Sequence, residues 1–78
     1  MEIEIEISSK WDSDLESSGM EATIIFDAEL RPDGTVLFEQ GMVVVTDQDG
    51  GEVSTTDIKS EDILDYVDIE QVLRELDA

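Results

Sequence analysis

The chain has 78 residues, 22 of them aspartate or glutamate and only four lysine or arginine, and its net charge is −18. That length accommodates one small domain. With no cysteine and no histidine, disulfides, thiolate or imidazole metal ligation, and any nucleophile relying on a cysteine or a histidine base are excluded.

A small soluble domain does well with a net charge of magnitude ~2–8. A charge of −18 therefore repels itself and destabilises the compact state at low salt. High charge with 40% apolar residues leans toward disorder. The periodic placement of those apolar residues argues for a fold instead. No basic region precedes an apolar run at the N-terminus, and no stretch approaches the ~18 apolar residues of a membrane span. The expectation is a soluble cytoplasmic protein, in the host cell's cytoplasm if a phage encodes it.

Residues 1–8, MEIEIEIS, alternate with period two. This predicts a strand with Ile3, Ile5 and Ile7 facing a core and Glu2, Glu4 and Glu6 facing solvent. Residues 8–19, SSKWDSDLESSG, are polar, end in glycine, and read as a loop. Residues 20–30, MEATIIFDAEL, alternate again. Ala22, Ile24, Phe26, Ala28 and Leu30 share one face, and Glu21, Thr23, Ile25, Asp27 and Glu29 the other.

RPDGT follows, with Pro32 suited to a type I turn and Gly34 to a G1 bulge. Such a turn pairs Arg31 with Thr35. Leu30 then faces Val36, Ala28 faces Phe38, Ile24 faces Met42 and Ala22 faces Val44, all apolar pairs. One misfit remains: Gln40 falls opposite Phe26, beside Gly41, where a glycine suggests a bulge or kink. Residues 42–46, MVVVT, finish this strand or form a new one. A turn centred on Asp49-Gly50 leads into a weaker strand, EVSTTDI.

The C-terminus changes period. Ser60 suits a helix cap, with Glu61 and Asp62 in the first turn and Ile63, Leu64 and Val67 as the apolar stripe. Asp68 and Gln71 resemble a second capping pair, followed by Ile69, Val72, Leu73 and Leu76 at helical spacing. In one continuous helix the two stripes would point in nearly opposite directions, so a break near Asp68 is expected. The sum is an α+β domain: an antiparallel meander of about four strands with two short C-terminal helices on one face.

The best metal candidate, Asp47-Gln48-Asp49-Gly50-Gly51-Glu52, fails the EF-hand spacing in either frame and reads as a hairpin turn. No cofactor or metal site is expected. Serines have no histidine to activate them, there is no G-x-S-x-G elbow, and no glycine loop cradles phosphate. The acids fall on outer faces or in turns, where nothing raises a pKa for acid catalysis. The expectation is therefore a protein that is not an enzyme. Direct nucleic-acid binding needs lysine and arginine that this chain lacks.

Two features point to a protein partner. Trp11, in the acidic loop, either folds back to cap the core or stands out as an interface anchor. The outer face carrying Glu21, Asp27, Glu29 and Glu39 also carries Ile25 and Leu37, with Val43 and Val45 expected beside them. An apolar centre rimmed by acids suits a basic partner, and a loop or a second copy of the chain is the alternative cover. Glu2, Glu4 and Glu6 repeat every ~6.8 Å, half the charge density of one DNA strand at ~3.4 Å per charge. A second acidic row from Asp27 and Glu29 would raise it if the first two strands are neighbours. A globule about 30 Å across would match the ~31 Å spanned by eighteen duplex charges.

In size, charge and lack of catalytic groups the chain resembles, in general type, the small acidic inhibitors that mobile elements use against host nucleases, anti-CRISPR and anti-restriction proteins among them. The expectation is a non-enzymatic inhibitor that occupies the basic nucleic-acid-binding surface of an enzyme or complex. Glu2, Glu4, Glu6, Asp27, Glu29 and Glu39 would replace phosphates, and Trp11 would anchor. A salt-adapted halophilic subunit or adaptor is the competing expectation.

Overall fold

A computed structural model describes residues 1–12 and 14–77; Ser13, within the expected loop, and Ala78 lie outside the described residues. The elements run β1 (Glu2–Glu6), α1 (Ser8–Trp11), a 3-10 turn (Glu16–Ser18), β2 (Glu21–Leu30), β3 (Val36–Phe38), β4 (Gly41–Thr46), β5 (Glu52–Ile58), a 3-10 helix (Ser60–Asp65) and α2 (Ile69–Asp77). All pairing is antiparallel: β1 with β2, β2 with both β3 and β4, and β4 with β5. Because β3 and β4 lie along the same side of β2, they act as one interrupted strand. The sheet is thus a four-stranded meander, and the domain is α+β as expected.

The β2–β3 hairpin forms as the sequence requires. Arg31 N–H donates to Thr35 O at 2.8 Å and Gly34 N–H to Arg31 O at 3.0 Å, with Gly34 at φ 88°. That left-handed position costs glycine little. Asp33 Oδ1 accepts from both the N–H and the hydroxyl of Thr35, at 3.0 and 2.6 Å.

Beyond the hairpin the observed register departs from the simple continuation. Leu30 pairs with Val36 and Ala28 with Phe38, as expected, but Ile24 pairs with Val43 and Ala22 with Val45. One extra residue is taken up across Glu39–Gln40, which is a β-bulge. The slip reverses the faces of everything after it. Val43 and Val45 are buried in the core, not on the outer face, and Met42 and Val44 take the outer positions. Gly41 fixes this arrangement. A Cβ there would lie 2.5 Å from Ile25 O and 2.8 Å from Phe26 Cβ, so the backbones approach more closely than any side chain allows.

The core is Ile3, Ile7, Ala22, Ile24, Phe26, Ala28, Val43, Val45, Ile58, Ile63, Val67 and Val72, with Phe26 and Phe38 ring centroids 5.8 Å apart. The helical layer covers one face of the sheet: α1 and α2 lie against β2, and the 3-10 helix against β3. The stretch read as a loop, 8–19, contains α1 and a 3-10 turn. Ser8 is why α1 sits where it does: it is fully buried, and its Oγ accepts the Ala22 N–H at 3.0 Å.

The chain breaks between its last two helical segments, as the opposed stripes demand. The first is 3-10, however, and Ser60 is its first residue, preceded by Lys59 with no side-chain cap. At the second, Gln71 Oε1 accepts the Asp68 N–H at 2.9 Å, the reach-back half of a capping box. Only part of each stripe is buried. Ile63, Val67 and Val72 are enclosed and Leu76 is half-buried, whereas Leu64, Ile69 and Leu73 remain 48%, 41% and 38% exposed.

Candidate functional site: the acidic outer face of the sheet

The β1–β2 register decides where the predicted acids fall. Glu2 lies opposite Asp27, Glu4 opposite Ile25 and Glu6 opposite Thr23. Residues directly opposed share a face, so all three β1 glutamates share the outer face with Glu21, Asp27 and Glu29, and all six are exposed. Glu39 joins them through the bulge: its N–H donates to Asp27 O at 3.0 Å. Asp27, Glu29 and Glu39, with Met1, Ala28 and Leu37, line a shallow cleft of about 420 Å³.

The two acidic rows are staggered, meeting only at the Glu2–Asp27 pair. Along the strand axis the order is Glu6, Glu4, then Glu2 beside Asp27 and Glu39, then Glu29. Three steps of ~6.8 Å span about 20 Å. With Glu21 one step beyond Glu6, seven carboxylates span four such steps, about 27 Å, an average of one per about 4 Å against the ~3.4 Å of a single DNA strand. The density is uneven: Glu21, Glu6 and Glu4 keep the ~6.8 Å spacing, and Glu2, Asp27, Glu39 and Glu29 crowd the last step.

Over the whole molecule the Cα extents are 43 × 20 × 19 Å, with a radius of gyration of 13.1 Å. This is longer than the expected globule about 30 Å across. Dividing 43 Å by the 18 net charges gives one per about 2.4 Å, between duplex DNA at ~1.7 Å and a single strand at ~3.4 Å.

Apolar side chains occupy the middle of the face. Ile25 and Val44 are half-buried, and Met42 and Leu37 are each 39% exposed. On β5, Asp57 opposes Met42 and Thr55 opposes Val44, so Asp57 adds an acid on the far side. No strand residue on this face is basic; Arg31 and Lys59 stand just past the ends of β2 and β5. The N-terminal ammonium is 3.9 Å from Asp27 and donates to Ala28 O at 3.1 Å. The other ion pair among the described residues is Lys10–Asp68, at 3.7 Å on the helical side. Both are solvent-exposed and contribute little.

Trp11 does not belong to this face. It packs against the core from α1, its ring 5.5 Å from Tyr66. Glu61, Asp62, Asp65, Asp68, Glu70, Glu75 and Asp77 are also exposed on the helical side, so the acids are not confined to one surface. In the Asp47 turn, Oδ1 accepts the N–H groups of Asp49 and Gly51 at 3.0 and 2.8 Å. Among the described residues, no group of three or more acidic side chains is arranged to hold a metal ion. No helix among them is long and apolar enough to cross a membrane.

Asp33 has a carboxyl held below the usual range, first by the Thr35 hydroxyl and then by backbone hydrogen bonding. It lies in the hairpin turn, outside the acidic row. Sequence reasoning missed Met42, Val44 and Asp57. The first two were hidden by the bulge, and Asp57 required the β4–β5 register.

Comparisons with protein-family models, curated proteins and solved structures return no match.

Proposed function

We propose that the chain is a non-enzymatic inhibitor that occupies the nucleic-acid-binding surface of a basic enzyme or complex, its carboxylates standing in for phosphates. The observation that carries this reading is the staggered row of Glu6, Glu4, Glu2, Asp27, Glu39 and Glu29, on a face whose strands hold no basic residue. The apolar centre gives such a partner something to bury once its cations have found the rim. Trp11, half-buried and packed against Tyr66 on the helical side, is left out of this interface.

The test is displacement of a labelled oligonucleotide from a panel of basic nucleic-acid-binding enzymes, read by fluorescence anisotropy. Displacement is expected at ~0.1 M salt and should weaken steeply toward ~1 M. Neutralising Glu2, Glu4, Asp27, Glu29 and Glu39 should abolish it. Neutralising Glu61, Asp62, Asp65, Glu70 and Asp77 should leave most of it. Equal loss from both sets would refute the face assignment, and no displacement at any salt would refute mimicry.

A second reading, a salt-adapted protein with no mimicry, is favoured by one specific observation. Seven exposed acids also cover the helical side, and only two ion pairs occur among the described residues. It requires folding to be poor at low salt and cooperative near ~1 M, where the Debye length of ~3 Å isolates neighbouring charges. A circular dichroism salt titration measures this directly.

A further inference from the structure

The meander leaves two sheet edges, β1 and β5. The edge of β1 has the α2 side chains Gln71, Arg74 and Glu75 beside it, around a cleft with Glu4, Ile5 and Glu6. Among the described residues, β5 packs extensively against β4 alone. It runs seven residues, and every one from Glu52 to Asp57 is exposed. One rim of β5 pairs with β4; the other presents backbone N–H and C=O groups that pair with no backbone group among the described residues. Proteins usually blunt such an edge with charged side chains, lysine above all, or with proline, a bulge, a covering helix or a short strand. β5 has no lysine and no proline; its charges are the two acids Glu52 and Asp57, which suit a cation, and its bulge opposite Val45/Thr46 lies at its start, leaving Ser54–Ile58 regular.

From this open rim and its charge we infer that β5 accepts an extended, lysine- or arginine-rich segment of the partner as an additional antiparallel or parallel strand. Backbone hydrogen bonds supply the affinity in strand addition, and alternate side chains supply the selection. Every second residue of an added strand would continue the outer face beside Asp57 and Thr55. A cation there lies ~5 Å from its neighbour on β5, inside the ~10 Å Debye length at 0.1 M salt. The charge also argues against a second copy. Antiparallel pairing of two β5 strands centred on Thr55 would set Asp57 against Val53 and avoid direct acid–acid contact, but it would bring together two chains of charge −18 each. The inference rests on the inhibitor reading for the cationic nature of the partner, and adds the mode of attachment.

The probe is a peptide of alternating lysine and threonine as long as β5, with a proline-interrupted peptide of equal charge as control. Amide hydrogen exchange, followed by NMR at ~0.1 M salt, reads the result. The alternating peptide should slow exchange at the β5 amides that do not pair with β4, at least tenfold, and the control should not. Asp57→Lys, at an exposed position, should weaken the alternating peptide several-fold while leaving the fold intact. Protection spread over β1 and β2 alone, or equal protection by both peptides, overturns strand addition. If the oligonucleotide displacement persists in that case, the inhibitor reading stands without it. Slowed exchange in β5 without peptide, growing with salt and accompanied by a dimeric mass on sedimentation, would assign the edge to a second copy and also overturn the inference.

Discussion

Replacing Gly41 with alanine tests the bulge with a single methyl group. The backbone there is not left-handed, so the effect is steric alone. The added Cβ would sit 2.5 Å from Ile25 O and 2.8 Å from Phe26 Cβ, against an ordinary carbon contact of ~3.5–4.0 Å. About 1 Å must be opened between two strands, and β2 is held on its other side by β1. Overpacking of this kind costs ~1–3 kcal/mol. A chain of 78 residues has a total stability of about 4–12 kcal/mol, so the loss is a sizeable fraction. Urea denaturation followed by Trp11 fluorescence, at ~1 M salt to suppress charge repulsion, should show the midpoint falling by about 1–3 M for an m-value near 1 kcal/mol/M. Without the bulge, Gly41 would lie opposite Ile25 on the open outer face. Alanine would then raise stability by ~0.4–1 kcal/mol through the unfolded state. A midpoint equal to or above that of the parent would therefore refute the register.

Ser8→Ala should cost ~1–3 kcal/mol, because it strips the buried Ala22 N–H of an acceptor; the same denaturation measures it, and Ser9→Ala, at an exposed position, should cost almost nothing. Glu2→Gln should stabilise by ~0.2–1 kcal/mol at ~0.1 M salt, since it removes a like-charge pair with Asp27, and the gain should vanish near ~1 M. Asp33 should titrate below an ordinary aspartate by NMR, and Thr35→Ala should bring it back up. Because its folded pKa is depressed, the stability it lends is present above the unfolded pKa and is lost as pH falls through the folded value.

The parts of this fold legible in the sequence are those set by local chemistry. Alternation in 21–30, the Pro32–Gly34 turn and the opposed stripes around Asp68 each constrain a few neighbouring residues; the strand and the turn formed as read, and the stripes gave the break near Asp68 but neither the 3-10 form of the first helix nor the exposure of Leu64, Ile69 and Leu73. The slip past Gly41 was not legible, because Met42-Val43-Val44-Val45 is apolar at every position and gives period two no phase. Gln40 against Phe26 was the one visible sign, and only the close approach at Gly41 chooses the register. Ser8 failed for a related reason. A serine in a polar run gives no hint that a strand fourteen residues on has a buried N–H to satisfy. The membership of the acidic row was readable from alternation, but its density was not, since the stagger of β1 against β2 is long-range information. Trp11 reads two ways in the sequence, and its half-buried packing against Tyr66 on the helical side depends on a contact 55 residues away.

The charge that defines the outer face also works against the fold, and this couples binding to stability. At ~0.15 M salt the Debye length of ~8 Å exceeds both the ~6.8 Å spacing along a strand and the ~4.8 Å spacing across strands. The carboxylates from Glu6 to Glu29 then repel collectively. At ~1 M they do not. The cationic partner proposed for this face would perform the same screening locally, and to the extent that it prefers the folded face to the unfolded chain it would stabilise the fold by linkage, up to ~2.7 kcal/mol at a hundredfold excess over Kd. Salt and partner relieve the same repulsion, so their effects cannot add. The thermal midpoint should rise strongly on adding the cationic peptide at ~0.1 M salt and barely at ~1 M, where the midpoint without peptide is already high. Calorimetry across a salt series measures both. If the two increments added independently, the repulsion opposing the fold would lie elsewhere, among the helical-side acids from Glu61 to Asp77, and the outer face would lose its claim to be where the charge matters.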